Sequence, residues 1–122
     1  MVRFGIVFIL MVALYSQIQS EIVVGTGFSV NNSATTAATE ASQQAKTQLG
    51  GTQADVVIIW DSVYGGYYNQ SVSQQILNTV INQFPGAVVC GQSDGSGYSG
   101  YTEDGITIDT TSICIIAIGG DV

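Results

Sequence analysis

The chain of 122 residues has no histidine, and only two of its side chains, Arg3 and Lys46, are basic. Without an imidazole neither a Ser-His-Asp nor a Cys-His relay can be assembled, and zinc sites with imidazole ligands are excluded with them. Nine carboxylates against two cations leave a net charge of −7. Such a surface repels phosphate backbones and anionic lipid headgroups, which argues against nucleic-acid binding and against electrostatic docking to a membrane. Cysteine is scarce too. Cys90 and Cys114 both lie in apolar, strand-like sequence, where one bridge in an oxidising compartment and two buried free thiols are both ordinary outcomes.

Long apolar runs are missing after the first twenty residues. Met1 to Ser20 carries one charge, Arg3, then an apolar run from Phe4 to Tyr15, then a polar tail that ends on a small residue. This is the pattern of a secretory signal peptide cleaved after Ser20. The run is about 12 residues, against the roughly 20 that a spanning helix needs. The expectation is a secreted protein, free of the membrane after cleavage, whose mature part is one domain over residues 21–122. Asn31 and Asn69 stand in glycosylation sequons, Asn31-Asn32-Ser33 and Asn69-Gln70-Ser71, which matter in a eukaryotic secretory route.

The periodicity of the mature part predicts alternating elements. Residues 22–28 read as a strand, and Asn32 or Ser33 can cap a helix that runs to Leu49 and ends at Gly50-Gly51. Its inward face, Ala34, Ala37, Ala38, Ala41, Ala45 and Leu49, carries little beyond methyl groups, so the helix can lie very close to a sheet. Residues 54–60 are continuous and β-branched, the habit of a strand covered on both faces in a parallel sheet. A second helix is expected from about Ser71 to Phe84, with Val72, Ile76, Val80 and Phe84 as its buried stripe and Pro85-Gly86 as its stop. Strands follow at 87–91, 105–109 and 112–118, the last two most simply a hairpin across Thr110-Thr111. The order β-α-β-α-β-β-β gives an α/β fold, a three-layer-like sandwich with a mostly parallel sheet and a C-terminal hairpin.

Four segments in this order carry a resemblance to a known family. They are the small-residue helix Ala34 to Leu49, the strand and turn Asp55 to Ser62, the segment Phe84 to Gly95, and the run Gly100-Tyr101-Thr102-Glu103-Asp104-Gly105 before a strand. In this arrangement the chain resembles the front portion of the N-terminal domain of the FIST family, a sensory domain of signal-transduction proteins. The family shows a Gly-Cys-Ser-Thr-x-Gly-like signature after its third strand. Here the order is Cys90-Gly91, with Gln92-Ser93 in place of Ser-Thr. The family domain is roughly twice as long, so the resemblance implies a domain whose second half is missing from this chain. It also implies binding of small ligands, with amino acids proposed, and the signalling domains that usually accompany it are absent here.

Three loops follow the parallel strands, Gly25 to Asn31, Asp61 to Tyr68 and Gly91 to Tyr101, and in an open α/β sheet such loops form the ligand crevice. They offer Thr26, Ser29, Asp61, Ser62, Tyr64, Gln92, Ser93 and Asp94 as ligand-binding candidates, since hydroxyls, amides and carboxylates orient a polar ligand. Tyr67 and Tyr68 stand beside them. Asp61, Ser62 and Asp94 are also residues that cap turns. Gly95-Ser96-Gly97-Tyr98-Ser99-Gly100 matches a dinucleotide pattern literally, but no helix is expected after it and no basic group stands near. A calcium loop from Asp94 fails because Tyr98, Ser99 and Gly105 occupy its fifth, sixth and twelfth positions. No cofactor, metal or catalytic set is expected. The leading expectation is a small-ligand-binding module of sensory type, the ligand an amino acid or similar polar molecule. The alternative is an extracellular structural or partner-binding protein that self-associates through an unpaired sheet edge and its tyrosine-bearing loops. A third expectation, an acid hydrolase on Asp61 and Asp94, ranks below both.

Overall fold

A computed structural model describes residues 6, 9, 21–62, 69–94, 98–102, 105–109 and 112–121, with the backbone alone for 94, 98–102 and 105–109. The segments 1–20, 63–68 and 110–111 hold the expected signal peptide, the loop tyrosines and the expected hairpin turn. All three expectations lie outside the described residues, residues 6 and 9 apart. No described helix is long and apolar enough to cross a membrane.

Strand β1 (Ile22–Ser29) leads into helix α1 (Ala34–Leu49), β2 (Ala54–Ser62) into α2 (Gln70–Gln83), and β3 (Val88–Asp94), β4 (Tyr98–Thr102), β5 (Gly105–Asp109) and β6 (Ile113–Gly120) complete the chain. The helix ends follow capping chemistry. Ser33 is the N-cap of α1 and accepts from the Thr36 N–H, and Gly50 closes the helix at φ 59, a left-handed conformation that suits glycine. Helix α2 starts one residue earlier than the periodicity suggests. Asn69 caps it, its Oδ1 accepting from the Val72 N–H at 2.9 Å.

The α/β class expected from the sequence is the class observed. The four-stranded sheet has the order β1-β6-β2-β3. Strands β2 and β3 are parallel, while β6 runs antiparallel to both β1 and β2 and separates them. A C-terminal hairpin is present as well, but it joins β4 to β5. The glycine-rich run after Asp94, expected as loop, supplies its first strand. Strand β6 is released into the centre of the sheet because it is apolar on both faces: Ile113, Ile115 and Ala117 are buried on one side, and Cys114, Ile116 and Ile118 are half-buried on the other.

Both helices cover the same sheet face and share one core with Val57, Ile59, Ile113 and Ile115. Ala37, Ala38, Ala41, Ala45 and Leu49 of α1 are buried, and Ala41 sits over Gly27 of β1, Ala45 and Leu49 over Gly25. A methyl group at Gly27 would overlap the Ala41 carbonyl, and one at Gly25 the Ala45 carbonyl. Helix and strand backbones therefore touch, which the small-residue face of α1 anticipated.

This closeness covers the β1 edge of the sheet. Gln44 and Gln48 accept through Oε1 from the free N–H groups of Phe28 (3.0 Å) and Thr26 (2.9 Å), and the Ser29 hydroxyl donates to Glu40 at 2.6 Å. Four residues of helix rise about 6 Å and two residues of strand about 6.6 Å, so side chains spaced by four meet every second strand position. One of the two sheet edges, β1, is thus covered by side chains of the same chain, while β3 forms the other edge.

Replacing Gly27 by alanine forces α1 away from β1 and should lower the unfolding free energy by about 3 kcal/mol, in line with overpacking of a tight core site. Urea denaturation checks it; a loss below about 0.5 kcal/mol, the scale of a neutral surface change, would contradict the contact.

Candidate functional site

Because β1 and β2 both oppose β6 and β3 parallels β2, the carboxyl ends of β1, β2 and β3 lie at one end of the sheet. The register places Ser29, Ile113, Asp61 and Ser93 in a single row across it, on the face that the helices cover. Above the Asp61 and Ser93 end of this row lies a cleft of ≈ 320 Å³, lined by Ile59, Asp61, Val89 and Ser93 from the sheet and by Ser73, Ile76 and Leu77 from α2.

Asp61 is the chemically distinctive group in this cleft. It is only 5% exposed, and its Oδ1 is buried without a hydrogen-bond partner. Burial pushes its carboxyl above the ordinary carboxylate range, and the hydrogen bond from Ser93 draws it part of the way back. An orphaned buried carboxylate oxygen costs on the order of 1 to 3 kcal/mol. A donor placed in the cleft removes that cost, so the arrangement is ready to bind a hydrogen-bond donor or a cation.

Of the residues expected at the site, the structure brings Asp61 and Ser93 together. Ser29 shares their row but is committed to Glu40. Thr26 lies in the middle of β1 and gives its hydroxyl to Gln48 at 3.2 Å, so it stands apart. Ser62 is fully buried, and its N–H donates to the Ser112 carbonyl at 3.0 Å. Gln92 is exposed at the rim. Asp94 ends β3 with its side chain outside the described residues, and Tyr64 lies outside them altogether.

The sequence reading missed Ser73, Ile76 and Leu77 as cleft walls. The signal was present: Ser73, Ile76, Leu77 and Val80 follow the i, i+3, i+4, i+7 spacing, which makes Ser73 the polar end of an apolar stripe. Cys90 and Cys114 are free thiols. Strand β2 lies between their strands, so about 10 Å of sheet separates them, beyond the roughly 7 Å that a disulfide spans between Cα atoms. Burial raises the pKa of the Cys114 thiol.

A second cleft, of ≈ 400 Å³, opens at the opposite end between Lys46, Leu49, Gln53, Gln83 and Phe84. Lys46, in the last turn of α1, is exposed there and donates to Gln83 at 3.4 Å. The cleft is larger, but no buried unpartnered polar atom among the described residues belongs to it. Among the described residues no group of three or more acidic, cysteine or histidine side chains is placed to hold a metal ion.

No protein-family profile and no curated protein matches the chain. Among solved structures it is similar to an empty FtsZ dimer from M. jannaschii, at 17% identity and a TM-score of 0.42 over 83% of this chain. It is also similar to the FtsZ W319Y mutant of M. jannaschii, at 15% identity and a TM-score of 0.46 over 83% of this chain. The chain spans 27% and 28% of the length of those proteins.

The carboxyl of Asp61 predicts a particular pH dependence. Its folded pKa lies above the unfolded value, so its contribution to stability is complete below the ordinary carboxylate pKa and is lost as pH rises through the raised one. Asp61→Asn removes this loss, and at neutral pH it should stabilise the protein on the order of 1 kcal/mol. Thermal unfolding of both proteins between pH 3 and 8 measures the difference; a variant less stable than the parent at pH 7 would mean that Asp61 is satisfied in solution.

Proposed function

We propose that the protein is a secreted small-ligand-binding module of sensory type that holds its ligand in the cleft between β2, β3 and the first turns of α2. The unpartnered, buried Oδ1 of Asp61 carries this reading. A fold keeps such a group at a cost, and here it sits where ligands settle in α/β sheets, at the carboxyl ends of parallel strands. Ser93 and Ser73 add hydroxyls beside it, and Ile76, Leu77 and Val89 offer an apolar wall to the rest of the ligand. The resemblance of four segments, in order, to the front portion of FIST-family N-terminal domains, which no family profile matches, motivates the same reading. Binding needs no catalysis, and the chain has no histidine to pair with Asp61.

Thermal unfolding of the chain with a panel of small polar metabolites tests the proposal. A ligand at a hundred times its dissociation constant adds about 2.7 kcal/mol to the native state, and replacement of Asp61 and Ser93 together by alanine should abolish that gain. Saturable binding that survives the double replacement would sink the assignment to this cleft.

A second reading, self-association, has its own observation. The sheet face turned away from the helices reads in register Val24, Ile118, Val56, Val88; then Thr26, Ile116, Ile58, Cys90; then Phe28, Cys114, Trp60, Gln92. None of these residues is charged, and Val24 and Val88 are 50% and 66% exposed. For a molecule of net charge −7, this is a face on which a second copy meets no like charge. Four strands about 4.8 Å apart and about 26 Å long present roughly 500 Å² per copy, so a face-to-face pair covers roughly 1,000 Å², the lower end of specific interfaces. The uncharged face offers a contact in addition to the β3 edge of the sheet. Sedimentation should show a concentration-dependent dimer that Val24→Lys with Val88→Lys disperses, and a sharp monomer at millimolar concentration would exclude it.

A further inference from the structure

We infer that the cleft at Asp61 selects cationic amines with a compact apolar body over the corresponding amino acids and carboxylates. The inference rests on the small-ligand reading of this cleft and names the ligand chemistry.

Three features converge on it. The first is Asp61 itself, 5% exposed, with Oδ1 buried and unpartnered; an ammonium group supplies both the missing donor and the countercharge in one contact. The second is the absence of any described group for an anion. Lys46, the basic side chain among the described residues, belongs to the cleft at the other end of the sheet, where it meets Gln83. In the first turn of α2, which would otherwise attract a carboxylate, two N–H groups are already taken by the cap: the Val72 N–H is bound by Asn69 Oδ1 at 2.9 Å and the Ser73 N–H by the Asn69 carbonyl at 3.1 Å. The third is the wall of Ile76, Leu77 and Val89, in a space of ≈ 320 Å³. A short branched aliphatic body buries its surface there, and a carboxylate on the same body would lose its water with no cation in return. The net charge of −7 adds a long-range preference of the same sign.

Isothermal titration of the full chain with 3-methylbutylamine, leucine and 4-methylpentanoate separates these terms, because the three share a branched body and differ in their charged groups. The amine should bind at least about tenfold more tightly than leucine, and 4-methylpentanoate should show no saturable binding. Asp61→Asn keeps the shape and removes the charge, and should weaken the amine about 10- to 100-fold, the range of a buried charge-assisted hydrogen bond. Circular dichroism of the variant confirms its fold. Leucine binding as tightly as the amine, with that binding lost in Asp61→Asn, would overturn the amine preference and leave the cleft assignment standing. Amine binding unaffected by Asp61→Asn, or no binding of any of the three, would overturn both.

Discussion

The contact between the backbone of α1 and the glycines of β1 is the constraint on which the rest of the molecule depends. Gly25 and Gly27 leave no Cβ to hold the helix away, and Ala41 and Ala45 bring it down onto the strand. From that distance Glu40, Gln44 and Gln48 reach the outer side of β1 and take up its hydroxyl and N–H groups. An edge that would otherwise template another strand is satisfied by its own helix. The sheet is then free to extend inward from β1, and β6, apolar on both sides, occupies the position beside it.

The placement of β6 has consequences at both ends of the sheet. Lying antiparallel between β1 and β2, it leaves the carboxyl ends of β1, β2 and β3 on the same side although only β2 and β3 are paired in parallel. The polar residues that end those strands, Ser29, Asp61 and Ser93, therefore fall in one row. Ser29 is consumed in holding Glu40 and the edge. Asp61 is left with one oxygen that the fold does not serve, and that asymmetry within one row is what the proposed ligand site rests on.

Charge reinforces the distinction. In an acidic chain with a single described cation, Lys46, set at the far end, a buried carboxylate has no internal partner to recruit. The same scarcity leaves the sheet face opposite the helices without any charge in its central rows. A buried carboxylate without a donor and an uncharged sheet face are thus two products of one composition, and the two proposed readings assign them different occupants, a small molecule and a second copy of the chain.

Much of the local structure was legible in the amino-acid sequence because short-range physics dictates it. The alanine face of α1, the caps at Ser33 and Gly50, the buried stripe of α2 and the apolar run of β2 all follow from spacing and side-chain type, and the α/β class follows from their order. Asp61 and Ser93 were legible as candidates because they end strands that precede loops. The pairing of β4 with β5 in place of β5 with β6, the insertion of β6 between β1 and β2, and the separation of Cys90 from Cys114 were not, since strand partners are chosen by the burial of faces across the whole sheet and leave no local mark. Nor could spacing tell that Ser29 is spent on Glu40 and Thr26 on Gln48 while Asp61 keeps a free oxygen. Which elements form was settled by the sequence itself; which polar groups stay unsatisfied was decided only in the tertiary structure, because satisfaction depends on distance between residues far apart in the chain.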